Sequence, residues 1–161
     1  MVAALSFLAS PKSAPPPAWL FFVLFAGTWV VVSFVISRAS GWVALAGYYR
    51  ADHPFDGPLI RFQAAQFRKA TNYNGCLSFG SDDQGMYMVP MLFFRAFHPP
   101  LMIPWSDITA RPVKLWRLWN FVELRFQRVP DIPVRIKQSL AEKLAEASAG
   151  RFSAVAAALR N

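Results

Sequence analysis

Residues 121–127 read Phe-Val-Glu-Leu-Arg-Phe-Gln. Val122, Leu124 and Phe126 fall on one side of an extended chain and Glu123, Arg125 and Gln127 on the other. That period of two belongs to a strand with one face on a core and one toward water. Val134 and Ile136 alternate with Arg135 and Lys137 in the same way. Toward the N-terminus, Leu77 and Phe79 lead into Ser81-Asp82-Asp83-Gln84-Gly85, and Met86 to Val89 resumes an extended run. Turn-forming residues between two apolar runs predict a hairpin. Leu101 to Trp105 and Ile108 to Leu115 give two more strands, which Pro104 and Pro112 assign to edges or bulges because proline cannot donate to a ladder. Between Leu59 and Lys137 turn residues recur about every eight to twelve positions, the pattern of a small antiparallel sheet or barrel.

Past this region the period changes. Ser139 followed by Glu142 reads as a capping box, and Leu140, Leu144, Ser148, Phe152, Val155 and Leu159 recur every three or four residues. A C-terminal helix follows, with Gly150 as its weak point, and its apolar stripe is suited to cover an open face of the sheet.

Toward the N-terminus lies a different kind of segment. Residues 18–37, AWLFFVLFAGTWVVVSFVIS, contain no charge, and as a helix they extend roughly 30 Å, the thickness of a bilayer core. Pro15, Pro16 and Pro17 prevent an earlier start, so residues 1–17 form an irregular tail. Trp19 and Trp42 flank the run as interfacial anchors. A cleaved signal peptide is the competing reading, with Ser37 and Ala39 as small residues near a cut, but its apolar region is about 7 to 15 residues. A buried helix of a soluble core is a third. Lys12 alone precedes the run, whereas Arg38, Arg50, Arg61, Arg68 and Lys69 follow it, so the positive-inside rule places the remainder in the cytoplasm. Between the two regions, Trp42, Leu45, Ala46 and Tyr49 form one face of a short helix that either continues the span or lies on the membrane surface. Asp52, Pro54, Asp56, Gly57 and Pro58 break the pattern. The expected organisation is a tail (1–17), a transmembrane helix (18–37), a short helix with linker (38–58) and a β domain with a C-terminal helix (59–161).

Composition agrees. The chain has 161 residues, 55% of them hydrophobic, which excludes a disordered linker. A single cysteine excludes an intramolecular disulfide framework and a cysteine-based zinc cluster. Lys and Arg number 17 against 9 Asp and Glu, a net charge of +8, which suits an anionic partner.

Three segments carry a resemblance: Gly85-Met86-Tyr87-Met88, Phe93-Phe94-Arg95, and Ile103-Pro104-Trp105-Ser106-Asp107-Ile108. They resemble the Gly-x-Leu-Tyr-like strand, the aromatic and basic strand, and the Ile-Pro-aromatic-x-x-Ile turn of GRAM-type and bacterial members of the pleckstrin-homology superfold. The resemblance covers roughly 25 residues. It implies a mainly-β PH-like domain of about seven antiparallel strands in a partly open barrel closed by a C-terminal helix, acting as a binding or scaffolding module, often at membranes. The basic phosphoinositide motif that some members carry in their first hairpin has no counterpart here.

Signs of catalysis are lacking. His53 and His98 each precede a proline and are far apart, unlike a helical metal pair. Cys76 follows Gly75 in what reads as a turn into an apolar strand, the setting of an ordinary semi-buried thiol. No phosphate loop or nucleophile elbow is present, and no cofactor or metal is expected. The one constellation of interest is Arg111, Lys114, Trp116, Arg117, Trp119, Arg125 and Arg128, arranged around the single acid Glu123. If Ile108–Leu115 and Phe121–Gln127 pair, Trp116-Arg117-Leu118-Trp119 forms the hairpin tip. Cations interleaved with indoles suit an anionic leaflet, where each cation contributes about 1 kcal/mol. The alternative assigns the indoles to the core and the cations to a solvated face. The expected function is a membrane-anchored binding or scaffold protein contacting a protein partner or anionic headgroups. The alternatives are a nucleic-acid-binding module and an accessory subunit of a larger membrane complex.

Overall fold

In a computed structural model of the chain, residues 16–68, 70–115 and 119–148 are described. Helix α1 runs Ala18–Ala39 and helix α2 Trp42–Tyr49. Seven strands follow: β1 Ile60–Phe67, β2 Thr71–Ser81, β3 Gly85–Pro90, β4 Leu101–Pro104, β5 Ile108–Leu115, β6 Trp119–Phe126 and β7 Val129–Lys137. Helix α3, Gln138–Ala147, comes last. The strands form one antiparallel sheet in the order β4-β3-β2-β1-β7-β6-β5, a half-barrel whose two edges are β4 and β5. The expected fold class is therefore the observed one: an N-terminal apolar helix, a seven-stranded, partly open barrel and a C-terminal helix.

The strand reading holds in detail. Phe79 pairs with Met88 and Ser81 with Met86, closing the expected hairpin around the 82–84 turn. In that turn the Asp82 carboxylate accepts from the backbone N–H groups of Gln84 and Gly85 at 2.8 and 2.9 Å, an Asx-type arrangement. Pro104 and Pro112 lie on the two edge strands, where the missing N–H is tolerated. Val122, Leu124 and Phe126 are in the core with Val134 and Ile136 of β7.

Three local expectations are corrected. Phe93-Phe94-Arg95 is not a strand: Leu92–Phe94 is a 3-10 turn in the β3–β4 connection. Gly75 and Cys76 lie inside β2 rather than in a turn; Gly75 has φ +69° where the β1–β2 register shifts, so the glycine permits a bulge. Ser139 does not cap α3. The helix begins at Gln138 after Lys137 with no side-chain cap bond, and Glu142 instead accepts from Gln138 Nε2 at 2.9 Å. Leu140, Ala141 and Leu144 of α3 are buried against β2, β6 and β7, as the stripe requires. Ser148, the next stripe position, is buried at the C-terminal end of α3, whereas Gly150, Phe152, Val155 and Leu159 lie outside the described residues.

The short helix α2 is neither a continuation of the span nor a surface element. Trp42 and Leu45 are fully buried and Tyr49 nearly so, all within the single hydrophobic core. The Trp42 ring packs against Phe67, Tyr73 and His98, and Tyr49 against Phe126. The coil after α2 is held as well: Arg50 bridges Leu101 of β4, and the Phe55 ring stacks on Tyr87 at 4.8 Å. The folded β domain thus begins at Trp42.

Candidate functional site

The expected β5–β6 hairpin exists, paired from Ile108↔Phe126 to Leu115↔Trp119, so Trp119 belongs to β6 and not to the tip. Trp116 and Arg117 lie outside the described residues, and for Trp119 only the backbone is described. Arg111 and Lys114 are exposed on the edge strand β5. Arg125 and Arg128 have acidic partners: Arg125 Nε donates to Glu123 Oε1 at 3.0 Å, and Arg128 Nε lies 3.4 Å from Asp107 Oδ2.

Glu123 is the hub. It is 6% exposed, and its second oxygen accepts from Arg135 Nε at 3.0 Å. Arg135 was absent from the sequence constellation because it comes from β7. Its position between Val134 and Ile136, on the same outward face as Arg125, is the signal that would have found it. Arg111 pairs with Glu123, Glu123 with Arg135, and Arg135 with Gln66 across four adjacent strands. Arg135 Nη1 donates to Gln66 Oε1 at 3.4 Å, completing a polar row on the outer face. Burial alone pushes the Glu123 carboxyl up, but the hydrogen bonds and charges of Arg125 and Arg135 outweigh it and hold the group below its ordinary range. Arg125 and Arg128 are exposed but ion-paired, and among the described members of the constellation Arg111 and Lys114 are the exposed cations on the edge strand.

A second polar cluster lies where α1 meets the barrel. Ser40 ends α1 and takes the Trp42 backbone N–H on its hydroxyl at 3.2 Å. The Tyr73 hydroxyl lies 3.0 Å from Ser40 Oγ and 2.8 Å from His98 Nε2. His98 Nδ1 faces the Ala96 carbonyl at 2.9 Å. A carbonyl only accepts, so Nδ1 of neutral His98 carries the proton and its Nε2 is the acceptor that faces the Tyr73 hydroxyl. Burial pushes His98 below its usual range and Tyr73 up to about 12. The Trp42 indole N–H donates to the Pro99 carbonyl at 2.9 Å. Gly41, at φ +82°, makes the sharp corner between the helices, and a side chain there would meet Ile132 and Arg68. Buried hydrogen bonds and one tight corner therefore replace a flexible linker between α1 and the domain.

The third feature is apolar and exposed. Phe21, Phe22, Leu24, Phe25, Val31 and Val35 are among the open side chains of α1, a helix long and apolar enough to cross a membrane. Its other face is buried at Ser33 and Ser37 and half-buried at Trp29 and Ile36. The β3–β4 loop covers part of it. Trp29 Nε1 donates to the Phe93 carbonyl at 3.1 Å, Trp29 packs on Phe94 at 5.1 Å, and Phe34 meets Phe97 edge-on at 5.4 Å.

Of the other reactive groups, burial pushes the Cys76 thiol up, away from the thiolate that a nucleophile needs. Among the described residues no group of three His, Cys, Asp or Glu side chains is placed to hold a metal ion. Comparison with family models, with curated proteins and with solved structures finds no match.

Proposed function

We propose that this chain is a single-span membrane protein whose PH-like domain, on the cytoplasmic side of a bacterial inner membrane, serves as a binding or scaffolding module rather than an enzyme. One observation carries the reading: an exposed apolar helix is joined to the barrel without slack, through Gly41 and the buried Ser40–Tyr73–His98–Trp42 cluster. A cleaved signal would have no reason to dock on the domain it leaves, as α1 does through Trp29 on Phe93 and Phe94 and through Phe34 on Phe97, and a soluble core helix would bury its Phe and Val side chains. The excess of basic residues after the span supports the cytoplasmic orientation. The strand order with one covering helix supports the PH-like assignment, and Arg111 and Lys114 on the β5 edge are the cations available to an anionic headgroup or acidic partner.

The test is fractionation of cells expressing the full chain, with a topology reporter fused after Asn161. Retention in the membrane pellet through alkaline carbonate, an intact N-terminal segment and reporter activity only on the cytoplasmic side are expected. Release into the soluble fraction, or a mature N-terminus near residue 40, would overturn the anchor. A reporter active only outside would overturn the orientation.

A further inference from the structure

The β3–β4 loop presents to the outside the kind of side chains that a soluble domain withholds. Leu92 is 73% exposed, Phe93 75% and Phe97 46%. Phe62 of β1, 68% exposed at φ +58°, lies with Leu92 along one groove that also contains Arg61 and Arg95. This patch is not remote from the span, because the loop is docked on α1 through Trp29, Phe34 and their partners Phe93, Phe94 and Phe97.

Helix length then decides the depth. The 22 residues of α1 extend about 33 Å, close to the roughly 30 Å of a bilayer core. To cross, α1 must use nearly all of them. Trp29 precedes Arg38 by nine residues, about 14 Å along the axis. The boundary cannot sit at Trp29, because residues 18–28 alone would span only about 17 Å. Whatever is docked at Trp29 and Phe34 is therefore inside the apolar layer with them.

Part of the loop's backbone meets the demand of that setting. A backbone that enters hydrocarbon must satisfy its own polar groups. The carbonyls of Pro90, Met91, Leu92, Phe93, Arg95, Ala96, Pro99 and Pro100 all accept hydrogen bonds from within the chain. Pro99 and Pro100 have no N–H to satisfy. The N–H groups of Met91, Phe94, Arg95 and His98 donate to Cys76, Met91, Leu92 and Arg95 respectively. Arg61 and Arg95 have stems long enough to carry their charges out to the headgroups.

We propose that residues 91–98, with Phe62 beside them, form a re-entrant foot that enters the hydrocarbon of the leaflet nearest the domain, alongside α1. This rests on the reading of α1 as a membrane span. The foot and α1 together fix the domain at a set height and rotation over the bilayer, so the module is held by two elements instead of hanging from one.

The experiment uses the full chain in liposomes with Cys76→Ala and one spin label at a time, at Phe93→Cys, Val31→Cys or Lys143→Cys. Accessibility to oxygen, which concentrates in hydrocarbon, is compared with that to a water-soluble nickel chelate. Val31 is an exposed position on α1 and Lys143 an exposed one on α3. The expected result is oxygen exceeding the chelate at positions 93 and 31 alike, and the chelate exceeding oxygen at 143. Chelate access at 93 with oxygen access at 31 would overturn the foot and leave the anchor standing. Chelate access at both would overturn the anchor and the foot together. Protection of 93 from both reagents would mean that protein covers the loop, and would equally refute insertion.

Discussion

Trp42→Ala removes the largest fully buried side chain of the core. Truncating a buried tryptophan costs about 3–5 kcal/mol through lost transfer energy and the cavity left behind. Here the ring contacts Phe67, Tyr73 and His98 from three separate segments, so no single neighbour can collapse into the space. The indole N–H also leaves the Pro99 carbonyl without its donor, which places the loss toward the upper end of that range. A small domain has only about 5–15 kcal/mol in all, and the expected fall in melting temperature is about 12–20 °C. The assay is thermal unfolding of the full chain in detergent micelles, read by near-UV circular dichroism and by protease sensitivity of the β domain. Trp42→Phe keeps most of the volume and loses the hydrogen bond, for an expected cost of about 1–3 kcal/mol. Val43→Ala, on the open side of α2, is expected to stay within about 1 kcal/mol. If Trp42→Ala were as mild as Val43→Ala, α2 would be a linker after all and the rigid coupling of anchor to barrel would fall with it.

Further outcomes are expected from the same geometry. Gly41→Ala combines a left-handed φ with a clash against Ile132, and should cost more than the roughly 1 kcal/mol of an ordinary Gly-to-Ala strain penalty, visible as a lower midpoint in urea unfolding. The carboxyl of Glu123 is held low in the fold, so its contribution to stability is fully present above the unfolded carboxylate range and is lost as pH falls through the depressed folded value. A urea series from neutral pH down into that acid range should show this loss in the parent and a flatter profile in Glu123→Gln. At neutral pH Glu123→Ala should cost about 3 kcal/mol because Arg135 is left with an unpaired, largely buried charge. Arg111→Ala with Lys114→Ala, both exposed, should leave the unfolding midpoint within about 0.5 kcal/mol of the parent.

The surface proposed for membrane contact changed between sequence and structure. On sequence grounds the cations and indoles around Trp116–Trp119 made the strongest pattern. The strand ladder shows where that hairpin lies. Phe121 pairs with Lys137, at the end of β7 from which α3 starts, and Leu115 with Trp119 lies further out. The α1–α2 corner instead meets Ile132 in the first half of β7, five residues from Lys137 or about 17 Å away. Phe93, Phe94 and Phe97 gave no lipid signal in sequence because a few aromatic residues in an apolar run look the same as a buried strand. Only their contact with Trp29 and Phe34 marks them as neighbours of the span.

Local periodicity was enough for six of the seven strands, the two proline-bearing edges, the covering helix and the apolar N-terminal helix, because each depends on which residues along one segment share a face; β1, Ile60–Phe67, has no such alternation and was not legible. Contacts between segments distant in the chain were not legible in this way. The burial of Trp42 against Phe67, Tyr73 and His98 is one example. The junction of Arg125 and Arg135 on Glu123 and the seating of the β3–β4 loop on α1 are two more. A face pattern says that a side chain must be covered; which distant side chain covers it is decided when the sheet closes and brings them together.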